Sequence, residues 1–170
     1  MGIVGTATRG MIAGAAATAA MDLLWYRRYR ADDGEDSFST WEFESSATNY
    51  GEDAPAPARV GKLVADKVGV DLPNSAVATT NNVVHWMSGL GWGEAAGVAA
   101  AALPVPVLVT GMATGVAAWG TSYAALGAVG IYKPITEYDA ETLWKDLSAH
   151  LVFGATLGVV LTAVGARRRR

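Results

Sequence analysis

The fold is decided by the stretch HWMSGLGWGEAAG, from His85 to Gly97, and by its counterpart HLVFGATLGVVLT, from His150 to Thr162. Each begins with a histidine, continues with two glycines at steps of four, and ends one step further on with a small residue. Residues four apart share one face of an α helix, where small side chains let two backbones approach closely. The two stretches therefore predict two similar helices, each packed through its glycine face.

The sequence has four apolar windows long enough to cross a bilayer, and the two stretches lie in the second and the fourth. A transmembrane helix needs about 20 mainly apolar residues. The predicted spans occupy 3–25, 77–103, 107–131 and 142–166, and the polar loop between the first two occupies 27–76. We expect a single integral membrane domain over residues 1–170, all-α and built as a four-helix transmembrane bundle. Its two helical hairpins resemble each other as an internal duplication would.

The polar loop is predicted to carry a short amphipathic helix after Pro57. Gly69 supplies its stop, and its apolar face comprises Val60, Leu63, Val64 and Val68. The helix is expected either to lie on the bilayer surface or to dock on the bundle. The aromatic residues in the acidic part of the loop are expected at the membrane interface or at the mouth of the bundle, and Trp86 is expected to anchor at the interface.

The composition favours lipid exposure and excludes several classes of function. The chain is 51% hydrophobic and 17% charged, whereas soluble domains are nearer a quarter charged. Because 13 basic residues are outnumbered by 16 acidic ones, nucleic acid is not an expected partner. The chain has no cysteine, which excludes disulfides and thiol nucleophiles. No P-loop, GxSxG or HExxH pattern occurs in a suitable setting, so the chain is predicted not to be an enzyme.

The step of four recurs in all four predicted spans. In a chain with 20 glycines, chance is the competing explanation, but the matched histidines weigh against it. Nine glycines are predicted to mediate helix packing, namely Gly10, Gly14, Gly89, Gly93, Gly97, Gly111, Gly115, Gly154 and Gly158.

One polar residue of each span falls at a similar predicted depth, giving a layer of Asp22, His85, Tyr123 and His150. Ionisable residues inside a membrane usually face the bundle interior. Such a layer either fixes the helix register through hydrogen bonds alone or responds to protons, because histidine titrates between about pH 5 and 8. Glu94 is a second embedded charge, predicted on a different helix face from His85.

The main prediction is a protein without metal or cofactor, and three alternatives to it stay open. Haem b bound between His85 and His150 is one, and a divalent metal bound by Asp22, His85 and His150 is another. The third is a carrier of small solutes or ions that acts as an oligomer, with Glu94 lining the path. The lipid bilayer is the predicted partner, and a homo-oligomer or a membrane complex with an unknown partner is compatible with the sequence.

The run NNVVHW at 81–86, the glycines and tryptophan at 89–93, and SAHLVFG at 148–154 resemble the YagU-like family of small bacterial inner-membrane proteins. The resemblance implies a multi-pass protein of the bacterial inner (plasma) membrane, from a mostly uncharacterised family associated with survival of acid stress. It also implies that His85 and His150 occupy the positions that the family motif marks, and it supplies no enzymatic reaction. The longer acidic loop and the arginine tail of this chain depart from the family pattern.

Overall fold

The computed structural model describes residues 3–44 and 47–165, and these residues contain helices but no strand. The described residues form six α helices, which are α1 (Ile3–Ala31), α2 (Phe38–Phe43), α3 (Ala56–Lys67), α4 (Val77–Ala102), α5 (Val107–Ala128) and α6 (Ala140–Ala163). The predicted all-α class is therefore confirmed. The final residue of the predicted fourth span, at position 166, lies outside the described residues.

Local sequence signals explain where several helices begin and end. Pro106 precedes α5 and cannot continue α4, because a proline lacks the backbone N–H that a helix interior requires. Asp139 caps α6, since its Oδ1 accepts a hydrogen bond of 2.8 Å from the backbone N–H of Thr142. Gly69, with a φ of +76°, ends α3, and Gly130, with a φ of +73°, follows α5. Both turns need the left-handed backbone that glycine adopts without strain.

The four long helices form an antiparallel bundle. α1 packs extensively on α4 and also contacts α6, α5 packs extensively on α6, and α4 and α5 share a smaller contact. Gly10 of α1 lies against Gly93 and Gly97 of α4, whereas Gly14 lies against Gly89, so the two helices run in opposite directions. Each of the two large interfaces thus joins the two helices of one predicted hairpin.

Glycines bring the backbones of both helix pairs into direct contact. In the α1/α4 pair, a Cβ added to Gly93 would lie 2.5 Å from the Cα of Gly14. In the α5/α6 pair, a Cβ added to Gly111 would lie 2.5 Å from the backbone oxygen of Gly154. Real Cβ atoms do not approach other atoms so closely. The two interfaces therefore use the same device, which is glycine facing glycine across antiparallel helices.

Small side chains fill much of the interior, and many large apolar ones lie outside. The buried cluster includes Ala13, Ala17, Ala96, Ala100 and Ala149, together with larger residues of α6 such as Phe153 and Leu157. The exposed large apolar residues of the long helices include Val4, Met11, Ile12, Leu23, Val83, Met87, Val98, Leu108, Val109, Val116 and Val159. In the described part of the chain, α6 is the one helix that is long and apolar enough to cross a membrane by length and composition. The structure thus establishes a helical bundle, and four spans stay a prediction.

Two short helices of the polar loop dock on the bundle. Sequence reasoning missed α2, which packs on α1 with ring centroids 5.3 Å apart for Phe38 and Tyr26 and 5.6 Å apart for Trp41 and Tyr26. These aromatic residues therefore pack on the last turns of α1, and their place relative to a membrane interface stays a prediction.

The second loop helix, α3, packs on α4 through small residues. Ala58 and Ala65 are buried, and Gly61 faces Thr80 of α4. Val64 is 55% exposed and Val68 is 71% exposed, so part of the predicted apolar face points away from the protein. The helix docks on the bundle and also presents an apolar edge outward.

Candidate functional site

Asp22 and His85 form a pair at the interface between α1 and α4. The Asp22 Oδ1 atom lies 2.9 Å from the His85 Nε2 atom, and Asp22 is only 4% exposed. The close glycine contacts of these helices bring the two side chains together. In the part of the chain that the structure describes, the second carboxylate oxygen, Oδ2, has no hydrogen-bond partner. The pair therefore has an unused buried acceptor.

Helix α2 adds a second carboxyl group beside this pair. The indole N–H of Trp86 donates a hydrogen bond of 3.0 Å to the Oε1 atom of Glu42, which is 8% exposed. Burial raises the pKa of the Glu42 carboxyl, and the nearby Asp22 carboxylate raises it further, against the opposing effects of Trp86 and His85. Trp86 thus donates a hydrogen bond to a residue of the polar loop, and its role as an interface anchor stays a prediction.

The other two predicted layer residues belong to a separate group on α5 and α6. The His150 Nδ1 atom lies 2.9 Å from the backbone oxygen of Asp146 and 3.4 Å from its carboxylate Oδ1. Tyr123 is 8% exposed and packs against Tyr132 and Tyr138, each with a centroid separation of 5.3 Å. Burial, followed by the Asp146 carboxylate, raises the pKa of Tyr132 to about 12.

Asp22, His85, Tyr123 and His150 therefore do not form one continuous layer. Asp22 belongs with His85, whereas His150 pairs with Asp146 of its own helix. Asp146 stands four residues before His150, a spacing that places both on one helix face and that sequence reasoning could have used. Glu42 gave no such signal, because its role depends on where α2 docks.

The three-ligand metal site predicted as an alternative is not assembled. In the described residues, no three His, Asp or Glu side chains come together as a group that could hold a metal ion, so Asp22, His85 and His150 are not arranged as ligands. Haem b also fits poorly, because the Nε2 atom of His85, the nitrogen that would face a porphyrin iron, is bonded to Asp22.

The two histidines nevertheless share a cavity. It has a volume of about 430 Å³, lies among the four long helices, and is also lined by Ala56, Pro57 and Val60 at the start of α3. Its polar lining includes His85, His150, Asp146 and Tyr132. We call it the central cavity. Its wall is otherwise mainly apolar and aromatic, as is typical of a small-molecule site.

A second cavity lies on the loop side of the bundle and has a volume of about 650 Å³. His85 lines it as well, so this residue borders both cavities. We call this second space the acidic cavity, because its lining includes four carboxyl groups, those of Asp22, Asp36, Glu42 and Glu44. Glu94 is exposed on α4 and lines neither cavity.

Comparisons of the chain with protein-family models, with curated proteins and with solved structures found no match. The residues themselves are therefore the basis for any assignment of function.

Proposed function

We propose that the chain is a non-enzymatic, multi-pass protein of the bacterial inner membrane that responds to protons through Asp22 and His85. The membrane part of the proposal is supported by the outer surface of the bundle. Val98 of α4 and Val116 of α5 are exposed, whereas the glycines on the packed faces of these helices are buried, namely Gly89, Gly93, Gly97, Gly111 and Gly115. Large apolar residues outside and small ones inside suit lipid better than water, because water rewards burial of the larger side chains.

Cysteine accessibility can test whether α4 and α5 lie in the membrane, because the chain has no native cysteine. Val98→Cys and Val116→Cys should resist a water-soluble maleimide in intact membranes and react after solubilisation in denaturing detergent. Asp53→Cys, in the exposed loop, is the matched control and should react in membranes that are open on its side. Rapid labelling of all three variants in such membranes, with release of the protein by alkaline carbonate, would instead identify a water-soluble bundle.

The proton response is carried by one observation, the 2.9 Å contact between a buried carboxylate and one of only two histidines. Protonation of His85 turns this hydrogen bond into an ion pair inside the bundle. His85 also borders both cavities, and Glu42 interacts with it electrostatically from α2. A change of charge on His85 would therefore alter the interaction that helps hold α2 on the bundle.

The charged and titratable groups around His85 come from a few elements. Asp22 approaches from α1 and Glu42 from α2, while Asp146 and His150 line the far side of the central cavity on α6. Tyr132, after α5, lines the same cavity. The parts of α3 and α5 that line the central cavity contribute no ionisable side chain. His85 and its carboxylate neighbours are therefore the groups that would sense pH here.

Nuclear magnetic resonance can follow both histidines, since a single variant assigns each imidazole signal. In detergent-solubilised protein between pH 5 and 8, we expect the His85 titration to be accompanied by a change in the Trp86 indole N–H signal. His85→Gln should abolish that change, whereas His150→Gln should preserve it. An indole signal that changes equally in the His85→Gln variant would contradict the proposed coupling.

The resemblance to the YagU-like family leads to a cellular test of the same proposal. If the chain supports survival of acid stress, the double variant His85→Gln/His150→Gln should accumulate in the membrane normally but lose the protective effect. Unchanged survival with the well-expressed double variant would remove the link between the histidines and acid stress.

A ligand-binding function is the second candidate, because His85 and His150 line one central cavity. The hydrogen bond between His85 Nε2 and Asp22 disfavours haem b, and no metal-ligand group is assembled in the described residues. A small uncharged or weakly polar solute is therefore the better fit to the mainly apolar wall. An absorbance spectrum of the purified protein discriminates between these ligands: a Soret band lost in His85→Ala would restore haem as the ligand.

A further inference from the structure

We infer that the central cavity binds a small uncharged aromatic molecule that carries a hydroxyl group, and that this hydroxyl donates a hydrogen bond to the Nε2 atom of His150. The ligand occupies the site of the ligand-binding candidate above, on which the inference rests, and its chemical class is now named. Its binding requires neither the proton response of Asp22 and His85 nor a chain that spans the membrane.

His150 presents a free acceptor nitrogen. Its Nδ1 atom lies 2.9 Å from the backbone oxygen of Asp146, and a carbonyl oxygen only accepts hydrogen bonds. Nδ1 therefore carries the proton of the neutral ring, which leaves Nε2, at the outer end of the ring, as an acceptor. In the described residues, Nε2 has no donor and is not among the buried side-chain atoms without a partner, so it can be reached from outside the chain. His150 lines the central cavity and is absent from the described wall of the acidic cavity.

Three hydroxyl groups of the wall are acceptors for the same reason. Thr18, Ser88 and Ser122 line the cavity, and each donates its hydroxyl proton over 2.7 to 2.9 Å to the backbone oxygen four residues earlier. A hydroxyl whose proton is used in this way still has a lone pair that can accept a hydrogen bond. A ligand that brings an O–H donor therefore complements this wall, whereas a ligand with acceptors alone leaves these groups unmatched.

The remainder of the wall favours an aromatic ligand without charge. Trp25, Trp92 and Phe153 reach the cavity from three different helices, and aromatic rings pack well against one another in offset or edge-to-face contacts. Among the described residues that line the cavity, none is lysine or arginine, so an anion finds no counter-charge there. The one carboxylate of that wall, on Asp146, already lies 3.4 Å from the Nδ1 atom of His150, so a cation would compete with this contact. A volume of about 430 Å³ suits a bicyclic molecule.

Equilibrium dialysis of the purified full-length protein with 1-naphthol tests the inference. The same detergent micelles on both sides of the dialysis membrane cancel the partition of the ligand into detergent. At about pH 8, where histidine is usually neutral, 1-naphthol should bind saturably. The comparison ligands are 1-methylnaphthalene, which has a similar shape and no polar group, and 1-methoxynaphthalene, which has an oxygen but no O–H. Both should bind about tenfold more weakly, because one hydrogen bond is lost.

Three variants test whether His150 accepts the hydrogen bond. His150→Phe removes the acceptor and should abolish the preference for 1-naphthol over 1-methylnaphthalene. His150→Gln offers a carbonyl oxygen near the position of Nε2 and should keep part of that preference. Thr162→Val is the matched control, because Thr162 lies on the same helix and does not line the cavity, and this variant should bind all three ligands as the wild type does. Comparing two ligands in one variant cancels a general change in the shape of the cavity.

The inference is overturned if the wild-type protein binds the three ligands equally, or if His150→Phe keeps the full preference for 1-naphthol. The ligand-binding candidate survives either result, because an apolar solute still occupies the cavity. No binding of any of the three overturns both, whereas the coupling of His85 to Trp86 has its own titration. If His150→Phe does not fold, nuclear magnetic resonance decides: 1-naphthol should shift the His150 imidazole signal and 1-methylnaphthalene should not, and equal shifts overturn the inference.

Discussion

Two glycines of α4, only two residues apart, should respond in opposite ways to the same substitution. A Cβ on Gly93 would lie 2.5 Å from the Cα of Gly14 and 2.7 Å from its backbone nitrogen. A Cβ on Gly91 would meet nothing within 4 Å. The pair Gly93→Ala and Gly91→Ala therefore compares the same added methyl group in a closed and in an open place.

The expected difference follows from these distances. Ordinary contact requires α1 and α4 to separate by about 1 Å at Gly93, because backbone atoms cannot move aside as a flexible side chain can. Such overpacking typically costs about 1–3 kcal/mol, against about 1 kcal/mol gained from the better helix propensity of alanine. We expect Gly93→Ala to lower the free energy of unfolding by about 1 kcal/mol net, and Gly91→Ala to raise it by up to about 1 kcal/mol.

Equilibrium unfolding in mixed micelles, followed by far-ultraviolet circular dichroism, measures both changes. A separation of the helices would also stretch the 2.9 Å contact between Asp22 and His85, so Gly93→Ala should alter the histidine titration. Gly91→Ala should leave that titration unchanged. A Gly93→Ala protein as stable as the Gly91→Ala protein would refute the close packing of α1 on α4.

Other predictions concern the loop and the second helix pair. The pKa of Glu42 is raised in the folded protein, so protonation of Glu42 stabilises the fold at low pH, and this stabilisation is lost as the pH rises through the raised pKa. Glu42→Gln should therefore raise the melting temperature at pH 7 but not at pH 4. Glu44→Gln is the control. Arg59 donates a hydrogen bond of 2.8 Å to the backbone oxygen of Ile131, so Arg59→Gln should lose about 1 kcal/mol and increase hydrogen exchange in α3; an unchanged exchange rate would exclude this tether. Gly111→Ala should destabilise the α5/α6 pair by about 1 kcal/mol net, measured by unfolding as for Gly93→Ala, because its Cβ would meet backbone atoms.

The helical elements followed largely from the sequence because their signals are local. Pro106 separates α4 from α5, Gly69 ends α3, and the glycine spacing marks the faces that pack. The six-residue helix α2 was missed because its position depends on aromatic contacts with Tyr26 of α1. Such contacts leave no periodic pattern in the sequence.

The chemistry of the site was only partly readable. Sequence reasoning selected Asp22 and His85, and the structure places them in contact, but similar predicted depth did not reveal which face each residue occupies. His150 instead pairs with Asp146 on its own helix, and Glu42 reaches His85 from a loop helix. Depth along a helix can be counted from the sequence, whereas rotation about the helix axis depends on its neighbours.

The sequence by itself determined that the chain is helical, where its long helices run and which glycines suit close packing, because these properties depend on residues a few positions apart. Only the tertiary structure decided that two polar groups exist in place of one layer, that His85 borders two cavities and that four carboxyl groups meet around one of them. Apart from the pair within α6, those features join helices across long separations in the chain, and packing in three dimensions selects such contacts.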